Sequence, residues 1–207
     1  IPPKLIWRLA QEHNIELPVS SELELAELVL IKDKTSDLLA FIRKLDVGVS
    51  VLSNPEACYT VAYENVVMAK SEGLDYAELR FSPFYMAQAF ALPLEAVVEA
   101  VVEGIRAGNQ DLNTEYQAIG ILSRTYGVEA CHHELRSILR FADKFVAVDL
   151  AGDEKNYPAT LFVEHFRLVK EAGLKVTIHA GEADGPESIW NAINFLGADR
   201  IGHGVAA

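Results

Sequence analysis

The chain has 207 residues, half of them hydrophobic, which is enough for one domain with a sizeable core. Its net charge of −12 (18 basic against 30 acidic residues) argues against nucleic acid or an anionic membrane as a partner. The same charge fits an enzyme that handles a neutral or cationic small molecule. The two cysteines, Cys58 and Cys131, form no CxxC pair, and no apolar run approaches the ~18 residues of a membrane span. With no visible signal peptide, these features point to a reducing, cytoplasmic setting. The first residues, Ile1-Pro2-Pro3, do not look like a natural start.

Helical spacing of Leu5, Ile6, Leu9 and Ala10 predicts a short helix after the proline pair. A polar stretch follows over 14–24. Leu38, Phe41, Ile42 and Leu45 then fall on one helical stripe. Pro55 opens a helix that runs to about Ser71 and stops at Gly73. From there the pattern alternates. Strands are expected at 75–81, 116–122, 145–150, 175–179 and from Arg200, and helices at 94–106, 128–140, 160–172 and 186–197. In the last helix Ile189, Ile193 and Leu196 are expected to face inward. Regular βα units imply an α/β fold with a parallel sheet, either doubly wound or a barrel. No GxGxxG follows the first strand, which weakens a nucleotide-binding doubly wound reading. One domain over 1–207 is expected, with a helical part over 1–73 and βα units over 74–207.

The strand at 175–179 ends in His179-Ala-Gly-Glu182. Side chains at the carboxyl ends of parallel strands are where α/β folds place their chemistry. His179 suits a metal ligand there, and Glu182 a proton donor kept neutral by burial. A strand-end histidine satisfied by backbone, with Glu182 at a helix N-terminus, accounts for the same residues without chemistry. Gly181 favours function, because glycine lets a ligand approach the backbone closely.

Gly202-His203-Gly204 ends the next strand. Neighbouring strands lie ~4.8 Å apart, so His179 and His203 can address one ligand. Asp149-Leu-Ala-Gly-Asp-Glu154 places three carboxylates and a glycine at a third strand end. Gly152 can offer its amide to a ligand, Asp149 can tie neighbouring strands together, and Glu154 fits an acidic helix N-terminus. In Glu78-Leu-Arg-Phe-Ser82, period two puts Glu78, Arg80 and Ser82 on one face. An inward Glu78–Arg80 ion pair is the structural use expected of them. The Leu38, Phe41, Ile42 and Leu45 stripe is either a core face or a wall over a pocket. His13, His132, His133 and His165 fall on helices or helix ends and are expected to be surface or packing residues.

Taken together, Glu78-Leu-Arg-Phe-Ser-Pro83, Asp149-Leu-Ala-Gly-Asp-Glu154, His179-Ala-Gly-Glu182, Gly185-Pro-Glu-Ser-Ile189 and Arg200-Ile-Gly-His-Gly204 resemble the adenosine deaminase family of zinc-dependent amidohydrolases, closest to its bacterial members. The motifs occur in the family's order and cover essentially the whole chain. The resemblance implies a (β/α)₈ barrel, incomplete here with about five of its eight strands. It implies hydrolysis of adenosine to inosine and ammonia, and the same deamination of 2′-deoxyadenosine, with Zn²⁺ as cofactor and a purine nucleoside as the small-molecule partner. Carried over, His179 is a zinc ligand and Glu182 the acid that protonates purine N1. His203 orients and deprotonates the attacking water. Gly152 meets purine N3 through its amide. Leu38, Phe41, Ile42 and Leu45 form a hydrophobic gate helix.

The family also has a His-x-His pair ahead of the point matching Ile1 and an Asp-Asp pair past the point matching Ala207. Zinc needs three protein ligands and these residues supply one, so the resemblance implies an internal segment that is inactive alone. Two other readings fit the same motifs: an adenine or other aminopurine deaminase, and a catalytically inactive purine-binding barrel. A different metal hydrolase on this barrel is a third, disfavoured by Gly152 and Glu182. The HxE…PCxxC signature of the cytidine-deaminase type is absent.

Overall fold

A computed structural model describes the backbone of residues 1–31 and 38–207 and the side chains of 1–31 and 44–207. Four helices come first: α1 (Pro3–Glu12), α2 (Glu22–Val29), α3 (Leu38–Val49) and α4 (Pro55–Ser71). The αβ alternation then follows as β1 (Glu78–Phe81), α5 (Pro83–Ala87), α6 (Leu94–Leu112), β2 (Gln117–Ser123), α7 (Gly127–Leu139), β3 (Phe145–Ala151), α8 (Val163–Glu171), β4 (Lys175–Ala180), α9 (Pro186–Asn191) and β5 (Arg200–His203).

The local causes are legible. Ser21 caps α2 by accepting from the Glu24 amide at 3.2 Å, and Glu24 reaches back to the Ser20 amide at 2.8 Å. This capped helix begins within the polar stretch over 14–24 and extends beyond it. Asn54 caps α4 by accepting from the Ala57 amide at 2.9 Å, with Pro55 in the first turn. The helix expected at 160–172 begins as a 3₁₀ turn, Ala159–Phe162, before α8. After α9 the chain widens into a π-helical segment, Ala192–Leu196. Its Leu196 is buried as expected, but Ile193 is 39% exposed and faces outward. The widened turn rotates that residue off the inward stripe.

All four strand pairings are parallel, and the order in the sheet is β1-β2-β3-β4-β5. A doubly wound sheet reverses direction at a switch point. This one never does, so each βα unit advances the same way, as in a barrel. The helices pack on the outer face: Gly120 of β2 lies so close to α7 that a Cβ there would meet Ile138 at 2.6 Å. The inner face mixes apolar residues such as Ile121 with the polar side chains of the site. Register places Asp149 opposite Thr177 and His179 opposite Gly202.

The expected Glu78–Arg80 pair does not form. Arg80 donates to Asp149 at 2.8 Å and Glu78 accepts from Arg200 at 2.5 Å. Same-face neighbours on one strand diverge with the sheet's twist, while partners across the concave face converge. Glu134 of α7 is fully buried and takes three donors: the Ser82 hydroxyl at 2.5 Å, the Phe84 amide at 3.1 Å and the Ser123 amide at 2.6 Å. It thereby ties the ends of β1 and β2 to α5 and α7.

Cys58 and Cys131 are buried and unpaired, and burial pushes the Cys58 thiol up to about 12. His165 packs as expected, buried edge-on against His132 with Nε2 3.1 Å from the Val128 carbonyl. Among the described residues no helix is long and apolar enough to cross a membrane.

Two consequences are measurable in the full-length protein. Helices α4 and α6 touch through Gly104, where a Cβ would sit 2.5 Å from the Tyr59 carbonyl oxygen. Gly104→Ala gains up to ~1 kcal/mol of helix propensity but loses about 1–3 kcal/mol to overpacking. A lower thermal midpoint is expected, by a few degrees at roughly 2–4 °C per kcal/mol. The second concerns Glu134, whose carboxyl burial lifts to about 7 despite its three donors. Such a group contributes stability that is complete below its unfolded pKa and is lost as pH rises to about 7. Glu134→Gln lowers the midpoint at every pH, because one donor faces an amide N–H₂. Its deficit against the unsubstituted protein should shrink from pH ~5 to ~7; a deficit that stays constant refutes the titration.

Candidate functional site

The site is assembled on the concave face at the carboxyl ends of β3, β4 and β5. Asp149, wholly buried, sits between Arg80 of β1 and His179 of β4. The His179 Nδ1 lies 3.0 Å from one carboxylate oxygen and 2.9 Å from the other. A buried carboxylate needs a donor, so Nδ1 carries the proton and the lone pair is left on Nε2. That is the tautomer a metal-ligating imidazole requires, with the orienting carboxylate behind it. Gly202 makes room for the ring: a Cβ there would lie 3.3 Å from His179 Nδ1.

His203 stands beside it, with ring centroids 4.8 Å apart. Its φ of +65° is left-handed for a residue with a side chain. Such strain collects at functional sites, where the surroundings enforce it. Glu182 approaches from the loop after β4, with an oxygen 3.6 Å from His203 Nε2. His179, His203 and Glu182 are thus brought together as their motifs suggested. The Glu182 side chain is 25% exposed, so the walls formed by these residues do not by themselves dry it.

Gly152 and Leu45 line a neighbouring cavity of about 370 Å³, together with Val49, Phe81, Tyr85 and Met86. This space opens over β1–β3, and its lining contains none of His179, Glu182 and His203; Arg80, which also lines it, connects it to His179 through Asp149. The Gly152 φ of +112° is one that only glycine adopts readily, and a Cβ there would meet the Thr125 hydroxyl at 2.3 Å. Leu38, Phe41 and Ile42 belong to α3, but their side chains lie outside the described residues.

Two buried charges were not foreseen. Arg124, in the turn after β2, is 1% exposed and donates to the carbonyls of Leu150 at 3.0 Å and His179 at 2.8 Å. It braces the ends of β3 and β4 from behind. Burial pulls its guanidinium down from the ordinary arginine range, and the charges of Glu154 and Asp149 oppose that. Glu154 is not a solvent-facing helix N-terminal acid. It is 2% exposed and accepts the amides of Gly181 at 2.6 Å, Glu182 at 3.1 Å and Ala183 at 2.8 Å, as well as the Ser188 hydroxyl. Burial pushes its carboxyl up, but the Ser188 hydroxyl and the three amides outweigh that and hold it below the usual glutamate range. Gly181 is therefore approached by the protein's own groups: Glu154 on its amide, and Ile189, which a Cβ would meet at 2.7 Å. Arg124 and Glu154 each follow a strand end in sequence, and that position was the one available signal for them.

Among the described residues no three His, Cys, Asp or Glu side chains converge into a metal-binding set. The described donors fit a metal in part: one oriented imidazole, His179, with its carboxylate. Asp149→Asn tests that orientation. It should leave the full-length protein folded and weaken zinc affinity about 10–100-fold, read by competition with a chromogenic chelator; unchanged affinity refutes the orienting role.

The adenosine deaminase family model matches residues 1–207. A protein of Pectobacterium atrosepticum named adenosine deaminase is 54% identical over 202 residues, covering 98% of this chain and 60% of that protein. One of Edwardsiella ictaluri with the same name is 50% identical over 207 residues, covering 100% of this chain and 62% of that protein. The chain thus spans about 60% of the length of the curated relatives it matches. Among solved structures, adenine deaminase from Arthrobacter aurescens superposes with a TM-score of 0.89 at 24% identity, over 99% of this chain and 61% of that one. A zinc-bound amidohydrolase from Burkholderia ambifaria superposes at 0.79 with 22% identity, over 99% of this chain and 55% of that one. These two likenesses confirm the barrel fold, of which the five strands here are an incomplete arc. With the family model matched from end to end and half or more of the residues shared with such relatives, this chain belongs to the adenosine deaminase family.

Proposed function

We propose that the full-length protein hydrolyses adenosine to inosine and ammonia, and 2′-deoxyadenosine to 2′-deoxyinosine and ammonia, in the cytoplasm. The observation that carries this is the His179–Asp149 pair, with Glu182 and His203 at adjacent strand ends, in a chain 54% identical to a protein named adenosine deaminase. Relatives at that identity favour adenosine. The likeness to adenine deaminase, at 24% identity, speaks for the fold only. The unpaired, buried cysteines support a reducing compartment.

His179 Nε2 is the position in this chain that would hold zinc, which when bound lowers the pKa of water towards ~7 and so supplies a nucleophile at neutral pH. The protein's own groups account for the rest. Water adds to C6 of the purine, and the ring's electrons need somewhere to go. Glu182 supplies a proton to N1, so the ring loses aromaticity without building up negative charge. The oxygen 3.6 Å away on Glu182 and the Nε2 of His203 flank one space, and His203 takes the proton of the attacking water there. The Gly152 amide is assigned to purine N3, which orients the ring so that C6 faces the histidines. Leu45 and the remainder of α3 are assigned to the apolar cover of the pocket, with Leu38, Phe41 and Ile42 as its other members. His203 then passes the water's proton to the C6 amine, which leaves as ammonia, and the C6 hydroxyl gives its proton back to Glu182 as the carbonyl of inosine forms.

The experiment uses the full-length protein. Zinc is quantified, and the ultraviolet change is followed as adenosine becomes inosine; no zinc and no change in a folded protein would sink the proposal. Glu182→Gln should retain zinc and lose about 10²–10⁴-fold in kcat. Turnover near that of the unsubstituted enzyme removes Glu182 from the proton-donor role.

A further inference from the structure

We propose that Glu154 is a positioning residue for the reaction: its buried carboxylate gathers the amides of Gly181, Glu182 and Ala183 and so fixes the backbone from which Glu182 reaches the purine. The proposal rests on the reading of Glu182 as the proton donor.

Three consecutive N–H groups point the same way only when the backbone curls into a concave nest, and such a nest closes on an anion. Here the anion is built in. One carboxylate oxygen of Glu154 takes the Gly181 amide at 2.6 Å and the other takes the amides of Glu182 and Ala183 at 3.1 and 2.8 Å. Ser188, on α9, adds its hydroxyl, which links the loop to the following helix. The loop has few other ties. The Gly181 carbonyl accepts from the Ala206 amide at 3.0 Å, the Gly181 amide also reaches the Ser188 hydroxyl at 3.4 Å, and the Glu182 side chain meets His203 Nε2 at 3.6 Å. Among the described residues only the Glu154 carboxylate takes the Glu182 and Ala183 amides, so it is the main anchor of the backbone from which Glu182 extends. Glu154 itself is buried, at 2% exposure, in the turn that begins three residues after β3 ends.

Placement governs rate more than it governs affinity. A proton donor must lie within hydrogen-bond reach of its acceptor, and a displacement of ~1 Å can cost ~10²-fold. The ground-state contacts assigned to Gly152 and the apolar walls come from residues outside the loop at 181–183.

Full-length, zinc-loaded Glu154→Gln tests this, because it preserves shape but turns one acceptor into a donor facing the nest. The expected result is unchanged zinc content, a kcat lower by about 10–100-fold and a KM for adenosine within about threefold. In the double variant with Glu182→Gln, turnover should be no lower than in Glu182→Gln alone, because both changes remove the same proton transfer. A kcat within about threefold of the unsubstituted enzyme, loss of zinc, a KM that rises in step with the fall in kcat, or losses that multiply in the double variant would each overturn the proposal. If Glu154→Gln does not fold, Glu154→Asp, which keeps the charge and shortens the reach, is read against the same outcomes. The single Glu182→Gln variant separates the two ideas. If it retains turnover, the donor assignment fails; if it loses turnover while Glu154→Gln does not, only the positioning role fails.

Discussion

A carboxylate with no access to water must be given partners, and Asp149 is that case here. Its partners come from opposite sides along the sheet: Arg80 from β1 and His179 from β4. Meeting both fixes the register of the concave face over four neighbouring strands. It also fixes which nitrogen of His179 is free. One desolvated charge therefore couples the correctness of the fold to the readiness of the site, and a slip by one residue in any strand would break both.

The carboxyl ends of the strands are held by a second set of buried ions. Arg124 binds the carbonyls where β3 and β4 finish, and Glu154 binds the amides where the next loop starts. The two are complementary in chemistry. Strand ends leave carbonyls and amides unpaired, and a guanidinium satisfies the first as a carboxylate satisfies the second. Neighbouring carboxylates, Glu154 among them, oppose the effect of burial on Arg124, while the Ser188 hydroxyl and three amides do the same for Glu154. Loops at this end of the sheet are thus tied down without covering the space where a ligand would sit.

Much of this was legible in residue order. β-branched runs at 145–150 and 175–179 marked their strands within a residue of the observed limits. Pro55 and Gly73 marked the ends of α4. Gly152, His179, Glu182 and His203 stood out because a polar residue or glycine after an apolar run is anomalous in a buried strand. The capped helix α2 hid in a polar stretch because its cap, Ser21 with Glu24, looks the same as loop composition. Ile193 was misplaced because a π segment departs from the 3.6-residue period. Glu78 and Arg80 were paired with each other because period two shows which face a side chain takes, not which residue lies across the concavity. Residue order places Glu154 at an acidic helix N-terminus, because nothing local shows that the amides of residues 181–183 fold over it.

By itself the sequence determined the alternation of strands and helices from residue 74 on, the parallel character of the sheet and the identity of the residues at its chemical edge. All of these follow from local periodicity and from contrast between neighbours in the chain. Only the tertiary structure decided that the sheet advances in one direction without a switch point. It also decided that Asp149 engages His179 and Arg80, and that Glu154 is buried beneath the loop bearing Glu182. The reason is distance along the chain: Asp149 lies 69 residues from Arg80 and 30 from His179, and Glu154 lies 27 from Gly181. Whether a carboxylate meets water or three amides depends on what folds over it, and no local pattern records that.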